Sequence, residues 1–439
     1  MAMHNRLRLG AVAALGASAL VLTGCSGGLG GGGGTTPATG GGEGAPIKIG
    51  FVTPQTGGLA AFGEADAFVV GEMQKYFADN PVVTPDGVSH PIEIIVKDTG
   101  SDGTAAANAA SDLILNEGVS ILLAGSTPDN TNPVSDQCEA NQVLCITTVA
   151  PWQSWAGRDG GDPGKASFDY TYHFFWGLED ALRVYNAIWD ATAEPGGTVG
   201  LLLSNDPDGN AWRNPDVGVP PFVTSVGRTP LATGTFDPGT TNFTAQINEL
   251  KNGNAQILTG NMIPPDFISF WQQAVTAGYH PTTVTFAKAI LFPSVLEALG
   301  DTGNNLSTEV WWAPTYPYSS GLTGLSAQQF ADSYTKATGQ QWTQPLGFVE
   351  ALFEVAVAVI EQSPSLSGDD LAATMSKLKV DTIAGTIDWT SGPVPNVAKT
   401  PLTGGQWRLQ PDGSYDLVIV ANPDEEQIPL GGKPEPIAW

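Results

Sequence analysis

The stretch "PIEIIVKDTGSDGTAAANAASDLILNEGVSILLAG", residues 91–125, decides the fold class because it holds one complete strand–helix–strand unit. Residues 92–98 form an apolar run that ends at a Thr-Gly turn. Residues 104–117 carry apolar side chains at helical spacing and stop at Gly118. The short apolar run "VSILLAG" that follows is typical of a strand buried on both faces. This order predicts neighbouring parallel strands in one sheet.

The same alternation extends in both directions along the chain. Upstream lie the strand-like run "IKIGFVT" and the helix-like run "EADAFVVGEMQKYFADN". After an aromatic stretch, "DYTYHFFWGLED" at residues 169–180, the alternation restarts and includes the strand-like runs "TVGLLLSND", "AQILTGN" and "TTVTFAKAI". A chain of 439 residues exceeds one ordinary core. The prediction is therefore an α/β protein with two doubly wound parallel-sheet lobes, whose ligand lies beyond the carboxyl ends of the strands.

Residues 1–24 predict a signal peptide, with Arg6 and Arg8 followed by the apolar run "AVAALGASALVLTGC". The segment ends in "LTGC", the pattern of a bacterial lipobox, in which diacylglycerol is attached to the sulfur of Cys25. The alternative is an ordinary signal peptide with an unrelated cysteine.

Residues 25–45 predict a flexible tether, since their Gly, Ser and Thr cannot bury apolar surface. The chain has no later apolar run of about eighteen residues or more, so lipid on Cys25 is the only anchor that the sequence predicts. The globular part would then lie outside the cytoplasm, held at the outer face of the cell membrane.

The formal net charge of −26 argues against a nucleic-acid partner, since such binding depends on Lys and Arg neutralising phosphates. In an exported protein, Cys138 and Cys145 predict a disulfide. The alternative is a pair of free buried thiols, because bridging requires a turn that brings the two Cα atoms within range.

Motifs for catalysis, nucleotide binding and metal binding are missing from the sequence. The acids Asp206 and Asp208 resemble the start of a calcium loop, but Val217 stands where the loop needs glutamate. The sequence "SYTK" at residues 333–336 matches S-x-x-K of penicillin-interacting enzymes without its companion motifs. The sequence therefore predicts no catalytic residue, no metal site and no cofactor.

Several stretches in order resemble the extracytoplasmic solute-binding proteins of ABC importers, in the group of leucine/isoleucine/valine-binding proteins. They include "IKIGFVTPQTGGLAAFGEA", the stretch quoted first, "NPVSDQCEANQVLCITT", "TNFTAQINELK", "GFVEALFEVAVAVIEQ" and "DTIAGTIDW", and the resemblance spans residues 46–420. It implies the type I periplasmic-binding-protein fold, with two lobes joined by a three-crossover hinge. It also implies a monomer that binds a small molecule and delivers it to a permease and its ATPase.

By this resemblance, lobe 1 comprises residues 46–172 and 313–387, lobe 2 comprises residues 173–312 and 388–420, and residues 421–439 are a C-terminal tail. The aromatic stretch at residues 169–180 would then cross between the lobes. Trp311 would lie at the second crossover, either in the cleft wall or in hinge packing.

The family's ligand-binding positions can also be carried over by resemblance. They fall on Phe62, on Ser126, Thr127 and Asp129, on Val149, Ala150 and Trp152, on Tyr172, and on Asn261, Met262 and Lys288. Asp129 departs from the family's serine-rich carboxylate-binding loop. Lys288 departs more strongly, because it stands where the family has the acid that binds an amino-acid ammonium.

Two interpretations of Lys288 follow. If Lys288 faces the cleft, it binds a carboxylate or another acceptor, with Asp129 as its resting partner, and the ligand is a small apolar or aromatic molecule. If the strand is shifted by one residue, Lys288 points away and the protein binds branched-chain amino acids. A ligand sensor for a membrane receptor and an exported hydrolase are the remaining alternatives.

Overall fold

The computed structural model describes residues 42–158 and 161–439. The predicted signal peptide, Cys25 and most of the predicted tether lie outside these residues. Within the described part, no helix is both long enough and apolar enough to cross a membrane.

The strands are numbered in chain order. They are β1 (Ile47–Thr53), β2 (Val82–Val83), β3 (Ser89–His90), β4 (Ile92–Asp98), β5 (Ile121–Ala124), β6 (Leu144–Thr148), β7 (Thr171–Phe174), β8 (Thr198–Leu203), β9 (Thr229–Ala232), β10 (Ile257–Asn261), β11 (Thr283–Ala287), β12 (Ser307–Val310), β13 (Lys379–Thr382), β14 (Gly385–Asp388), β15 (Val397–Ala398), β16 (Thr403–Leu409) and β17 (Tyr415–Ala421).

The α-helices are numbered in the same way. They are α1 (Asp66–Asp79), α2 (Gly103–Asp112), α3 (Pro128–Asn141), α4 (Trp152–Ala156), α5 (Leu178–Thr192), α6 (Pro207–Trp212), α7 (Val219–Ser225), α8 (Thr244–Asn252), α9 (Pro264–Thr276), α10 (Pro293–Leu299), α11 (Ala327–Thr338), α12 (Pro345–Gln362) and α13 (Gly368–Met375).

Two large sheets organise the structure, and each defines one lobe. The sheet of lobe 1 is parallel throughout, in the order β15-β7-β6-β5-β1-β4. The sheet of lobe 2 has the order β17-β16-β12-β11-β10-β8-β9, and only β16 and β17 run antiparallel to their neighbours. The predicted fold class is confirmed.

Local sequence explains the central elements. Strands β5, β6, β10 and β11 are buried along their whole length, as the unbroken apolar runs indicate. Helix α2 begins at Asp102, whose side chain accepts a hydrogen bond of 2.8 Å from the Ala105 N–H. It continues as a π-helical turn to Gly118, whose positive φ of 67° ends the helix.

The predicted lobe boundaries need correction at two crossings. The predicted boundary at residue 172 falls inside β7, which pairs with β6 and β15 in the sheet of lobe 1. Strand β15 itself, at residues 397–398, was assigned to lobe 2 by the sequence but belongs to lobe 1. The first crossing therefore follows Phe174, and the last crossing into lobe 2 follows Ala398. The sequence misplaced both crossings because the sheet that a strand joins depends on pairing with strands far away in the chain.

Both ends of the described region are more ordered than the sequence predicts. Residues 42–45, assigned to the tether, lie against β3, where the Gly44 N–H donates to the Ser89 carbonyl at 2.8 Å. The predicted tail, residues 421–439, packs on lobe 2. Its last residue, Trp439, stacks on His280 with ring centroids 4.2 Å apart and donates from Nε1 to the Pro281 carbonyl.

The predicted disulfide between Cys138 and Cys145 is not formed in the structure. Both are free buried thiols, on α3 and β6, within one apolar cluster that includes Leu122 and Val134. Burial and the neighbouring Cys145 thiol raise the pKa of Cys138. The two thiols therefore pack here as small apolar side chains, which is the alternative that the sequence left open.

Two buried acids on α12 make the stability of lobe 1 depend on pH. Burial raises the pKa of Glu350 to about 7 and that of Glu354 to about 8, despite hydrogen bonds to both carboxylates. The folded protein therefore keeps protons that the unfolded chain releases above its ordinary carboxyl pKa of 4.5. Stability falls as the pH rises through this window.

We expect Glu350→Gln to remove part of this pH dependence. The substitution cannot ionise, so the free energy of unfolding should lie about 1–3 kcal/mol above the wild-type value at pH 8 and close to it at pH 4.5. Urea unfolding of both proteins at a series of pH values would measure the difference. Glu361→Gln, an exposed position on the same helix, is the matched control. A wild-type pH slope retained by Glu350→Gln would contradict the assignment.

Candidate functional site

Strained backbone marks the carboxyl ends of the central strands. Positive φ angles of 73°, 62°, 62° and 67° occur at Ser126, Thr127, Val149 and Lys288. These residues follow β5, β6 and β11, at the edges where the two sheets face each other. Non-glycine residues rarely adopt this conformation, and β-branched ones least of all. Such strain is typical of binding and catalytic sites.

A narrow cavity of about 30 Å³ lies between the two lobes at these strand ends. This volume is far below the range for sites that hold a small organic molecule, so the lobes or the wall side chains must move apart to admit one. Both lobes and the segments that cross between them contribute to its wall, which consists of Phe62, Thr127, Val149, Pro151, Phe175, Trp176, Asp208, Trp212, Asn261, Ala287, Lys288, Leu291, Glu309 and Trp311.

Five of the fourteen wall residues are aromatic, and rings at the cavity contact one another across the lobes. Phe62 of lobe 1 meets Phe292 of lobe 2 edge to face, with ring centroids 4.9 Å apart. In the crossing segments, the ring of Phe175 lies 4.8 Å from that of Trp176 and 5.3 Å from that of Trp311. The aromatic stretch after β7 therefore supplies both the hinge packing and one side of the cavity.

The Lys288 ammonium lies inside a cluster of three carboxylates. Its Nζ is 3.3 Å from Asp129 Oδ2, 3.2 Å from Asp206 Oδ2 and 3.3 Å from Asp208 Oδ2. Asp129 belongs to α3 of lobe 1, whereas Asp206 and Asp208 lie at the start of α6 in lobe 2. A second bond between the lobes joins the Ser154 hydroxyl to Asp208 Oδ1 at 2.9 Å. The cluster thus connects the two lobes beside the cavity.

Burial and pairing compete in setting the pKa values of this cluster. Burial alone would lower the pKa of Lys288, but the three aspartates raise it well above its ordinary value, so the side chain is an ammonium. Burial raises the pKa of Asp208 to about 6 despite the attraction of Lys288. For Asp206, Lys288 and the Gly209 N–H outweigh burial and lower the pKa.

Glu309 is a further buried acid in the cavity wall. It accepts hydrogen bonds from the Tyr185 hydroxyl, the Thr308 hydroxyl and the Lys288 backbone N–H. Burial raises its pKa to about 7 even so. Within the described residues, no group of three or more His, Cys, Asp or Glu side chains has an arrangement that could hold a metal ion.

Five of the residues that the resemblance assigned to the ligand line the cavity. They are Phe62, Thr127, Val149, Asn261 and Lys288. Asp129 reaches the site through its ion pair with Lys288, which faces the cavity and has the resting partner that the sequence suggested.

The other assigned residues lie outside the cavity wall. Ser126 and Met262 are buried beside it. The Ala150 carbonyl lies 2.8 Å from a ring nitrogen of His173. Trp152 Nε1 donates to Glu179 at 3.3 Å. The Tyr172 hydroxyl donates to the Ala372 carbonyl of α13 at 2.8 Å, within lobe 1. Tyr172 lies inside β7 and not at its carboxyl end, so its side chain packs against α13 and away from the cleft.

The residue-by-residue assignment missed much of the wall. Phe175 and Trp176 belong to the aromatic run at the first crossing, from which the sequence chose only Tyr172 for the ligand. Trp311 was named as either cleft wall or hinge packing, and it lines the cavity. Asp208 was considered only in the context of a calcium loop. Glu309 lies inside β12 and carries no local signal, because nothing in a strand's own sequence shows which acid faces a distant cavity.

We expect Lys288→Met to destabilise the protein by about 3–5 kcal/mol at pH 7.5, because it leaves buried carboxylates without their cation. The loss should shrink at pH 5, where Asp208, whose pKa is raised to about 6, takes up a proton. Denaturant unfolding at both pH values would measure it. Lys75→Met is the control, since the Lys75 side chain is 75% exposed and pairs only with Glu72 in the structure. Equal stability of Lys288→Met and wild type at pH 7.5 would contradict this role.

Comparisons with known proteins place this fold and cavity in a wider group. Structures similar to the chain include the leucine-binding protein LivK from Thermotoga maritima, at 19% identity and a TM-score of 0.68, covering 86% of this chain and 99% of that one. A solute-binding protein of an ABC transporter from Rhodopseudomonas palustris, in complex with 3,4-dihydroxybenzoic acid, is similar at 17% identity and a TM-score of 0.67, covering 86% and 99%.

LivJ from Streptococcus pneumoniae, solved with isoleucine, is similar at 15% identity and a TM-score of 0.65, covering 85% of this chain and 99% of that one. At these identities the likeness shows the fold. A search of curated protein sequences finds no match. The family model described as periplasmic binding protein matches residues 46–410. The chain belongs to the periplasmic binding protein family, whose members bind solutes and are not enzymes.

Proposed function

We propose that this protein is the extracytoplasmic solute-binding component of an ABC importer, which encloses one small molecule between its lobes and delivers it to a permease and ATPase. The observation that carries the proposal is the cavity between the lobes, walled by both of them and by the crossing segments. A site assembled from two lobes exists only when the lobes close. Closure can therefore report occupancy to a membrane partner.

Contacts across the cleft support a closing motion of this kind. The Lys288–Asp129 ion pair, the Ser154–Asp208 hydrogen bond and the Phe62–Phe292 ring contact all join one lobe to the other. None of them lies within one lobe. All of them would break if the lobes separated about the crossing segments.

The wall favours a small apolar or aromatic ligand. Phe62, Phe175, Trp176, Trp212 and Trp311 supply flat apolar surface. Structures that share the fold include complexes with 3,4-dihydroxybenzoic acid and 4-hydroxybenzoate, whose ligands are aromatic. Burial of aromatic surface would supply most of the affinity, and a few polar groups would set the orientation.

A branched-chain amino acid is the second candidate. The fold is shared with a leucine-binding protein and with an isoleucine complex. In this chain, Asp208 and Glu309 line the cavity and could face an ammonium group. Both acids already accept hydrogen bonds from protein groups, which favours the first candidate.

A thermal-shift panel on the full chain tests the proposal, with leucine, isoleucine, valine and aromatic acids and amides as probes. A true ligand at about 100 times its Kd should add about 2.7 kcal/mol to the free energy of unfolding. Ala287→Leu should abolish this gain, because the larger side chain occupies the cavity. Ala373→Leu, exposed on α13, should leave the gain intact. A probe that stabilises Ala287→Leu as much as wild type would show that binding occurs elsewhere.

We further propose that diacylglycerol on Cys25 anchors the protein, as the lipobox pattern predicts. Two acyl chains give stable membrane binding where one does not. The full chain expressed in a bacterial host should therefore enter the detergent phase on phase separation. Cys25→Ala should move it to the aqueous phase, and Ser26→Ala should not. Equal partitioning of Cys25→Ala and wild type would exclude the anchor.

A further inference from the structure

Three buried side chains in the cavity wall have polar atoms without a partner among the described residues. Asn261 is 1% exposed, and neither Nδ2 nor Oδ1 of its carboxamide makes a hydrogen bond. Trp176 and Trp311 are 3% and 0% exposed, and the indole Nε1 of each is likewise unpartnered. Polar atoms left in this state are costly, so their presence in one cavity indicates groups that a ligand completes.

The charged groups of the same wall are already paired with one another. An ammonium has three N–H donors, and Lys288 directs its Nζ at three carboxylate oxygens at 3.2–3.3 Å. Asp208 forms an ion pair with Lys288 through one oxygen and accepts a hydrogen bond from the Ser154 hydroxyl through the other. Both oxygens of Glu309 also accept hydrogen bonds. The charge of the Lys288 ammonium is therefore already compensated by the protein, and two of its three N–H donors are hydrogen-bonded to Asp129 and Asp206.

We propose that the ligand is an uncharged planar molecule that carries a carboxamide or lactam edge. This inference rests on the proposed function and names the ligand class of the same cavity. The edge pairs with the Asn261 carboxamide, which offers one donor and one acceptor side by side. Further acceptor atoms of the ligand receive the indole N–H groups of Trp176 and Trp311.

A charged ligand fits this set of groups less well. A carboxylate would accept from Asn261 Nδ2 but would leave Oδ1 facing an anion, and it would add negative charge beside Asp208 and Glu309. An ammonium would satisfy Oδ1 but would leave Nδ2 and both indole N–H groups without acceptors. A ligand needs both a donor and acceptors to complete all four unpartnered atoms. An amino-acid zwitterion also has both, but its two charged groups would lose their hydration beside protein charges that are already paired, whereas an uncharged amide avoids this cost.

Planarity follows from the aromatic part of the wall. The rings of Phe62, Phe175 and Trp212 line the cavity with apolar surface, and the free space between the walls is narrow. Flat rings pack against such walls by offset stacking or edge-to-face contact. An aromatic amide or an aromatic lactam combines this shape with the required hydrogen-bonding edge.

Calorimetric titration of the full chain with matched probes tests the inference. Benzamide, benzoate and benzylamine share one ring and differ in the charge of one group, 2-pyridone provides a lactam, and leucine represents the amino acids. We expect benzamide or 2-pyridone to bind at least about tenfold more tightly than benzoate, benzylamine and leucine.

Asn261→Asp keeps the shape of the side chain, removes its donor and adds a charge, so it should weaken amide binding about tenfold or more. Asn248→Asp, on the exposed face of α8, is the matched control and should bind like wild type. The comparison among probes on wild-type protein stands even where Asn261→Asp is poorly folded.

Tighter binding of benzoate, benzylamine or leucine than of both amides would overturn the amide inference while leaving the solute-binding function in place. Unchanged amide affinity in folded Asn261→Asp would overturn it as well. If neither amide binds, the ligand class is wrong. If no probe binds and native mass spectrometry of the purified chain finds no bound small molecule, the proposed function fails together with it.

Discussion

Burial of the Lys288 ammonium constrains the whole cavity region. A cation removed from water needs compensating anions close by, and no single element of the structure supplies enough of them. Asp206 and Asp208 come from the segment after β8, and Asp129 comes from α3 in the other lobe. Compensation is therefore complete only when the lobes are closed. The position of one lobe relative to the other therefore determines whether the charge of Lys288 is compensated.

The crossing segments give this closure a physical link to the ligand. Phe175 and Trp176 follow β7, Trp311 follows β12, and the rings of Phe175 and Trp311 contact each other while lining the cavity. Packing density in such a contact leaves little room for independent movement. A molecule held against these rings would favour the same arrangement of the crossings that the closed lobes require. The same residues therefore pack the hinge and line the ligand cavity.

The strand ends add a local cost that the site must offset. Thr127, Val149 and Lys288 hold backbone conformations that cost of order 1–3 kcal/mol each for non-glycine residues. The Thr127 N–H donates to the Val149 carbonyl at 2.8 Å, so two of these residues stabilise one another. The third aims its side chain at three carboxylates. These backbone conformations turn the chain at the strand ends, so the polar groups of the site face the cavity instead of lying along the sheets.

Much of the fold could be predicted from the sequence, because strand and helix periodicity is local. The runs around residues 91–125 determine parallel strands and their connecting helix. The resemblance places Thr127, Val149, Asn261 and Lys288 at strand ends and Phe62 in the segment after β1. Only the tertiary structure decided that Lys288 has Asp206 and Asp208 as partners, that Glu309 faces the cavity, and that β15 pairs in lobe 1. Those facts join residues about 20 to more than 200 positions apart. Periodicity along the chain carries no information about such pairs, whereas pairing and burial in the folded protein determine them.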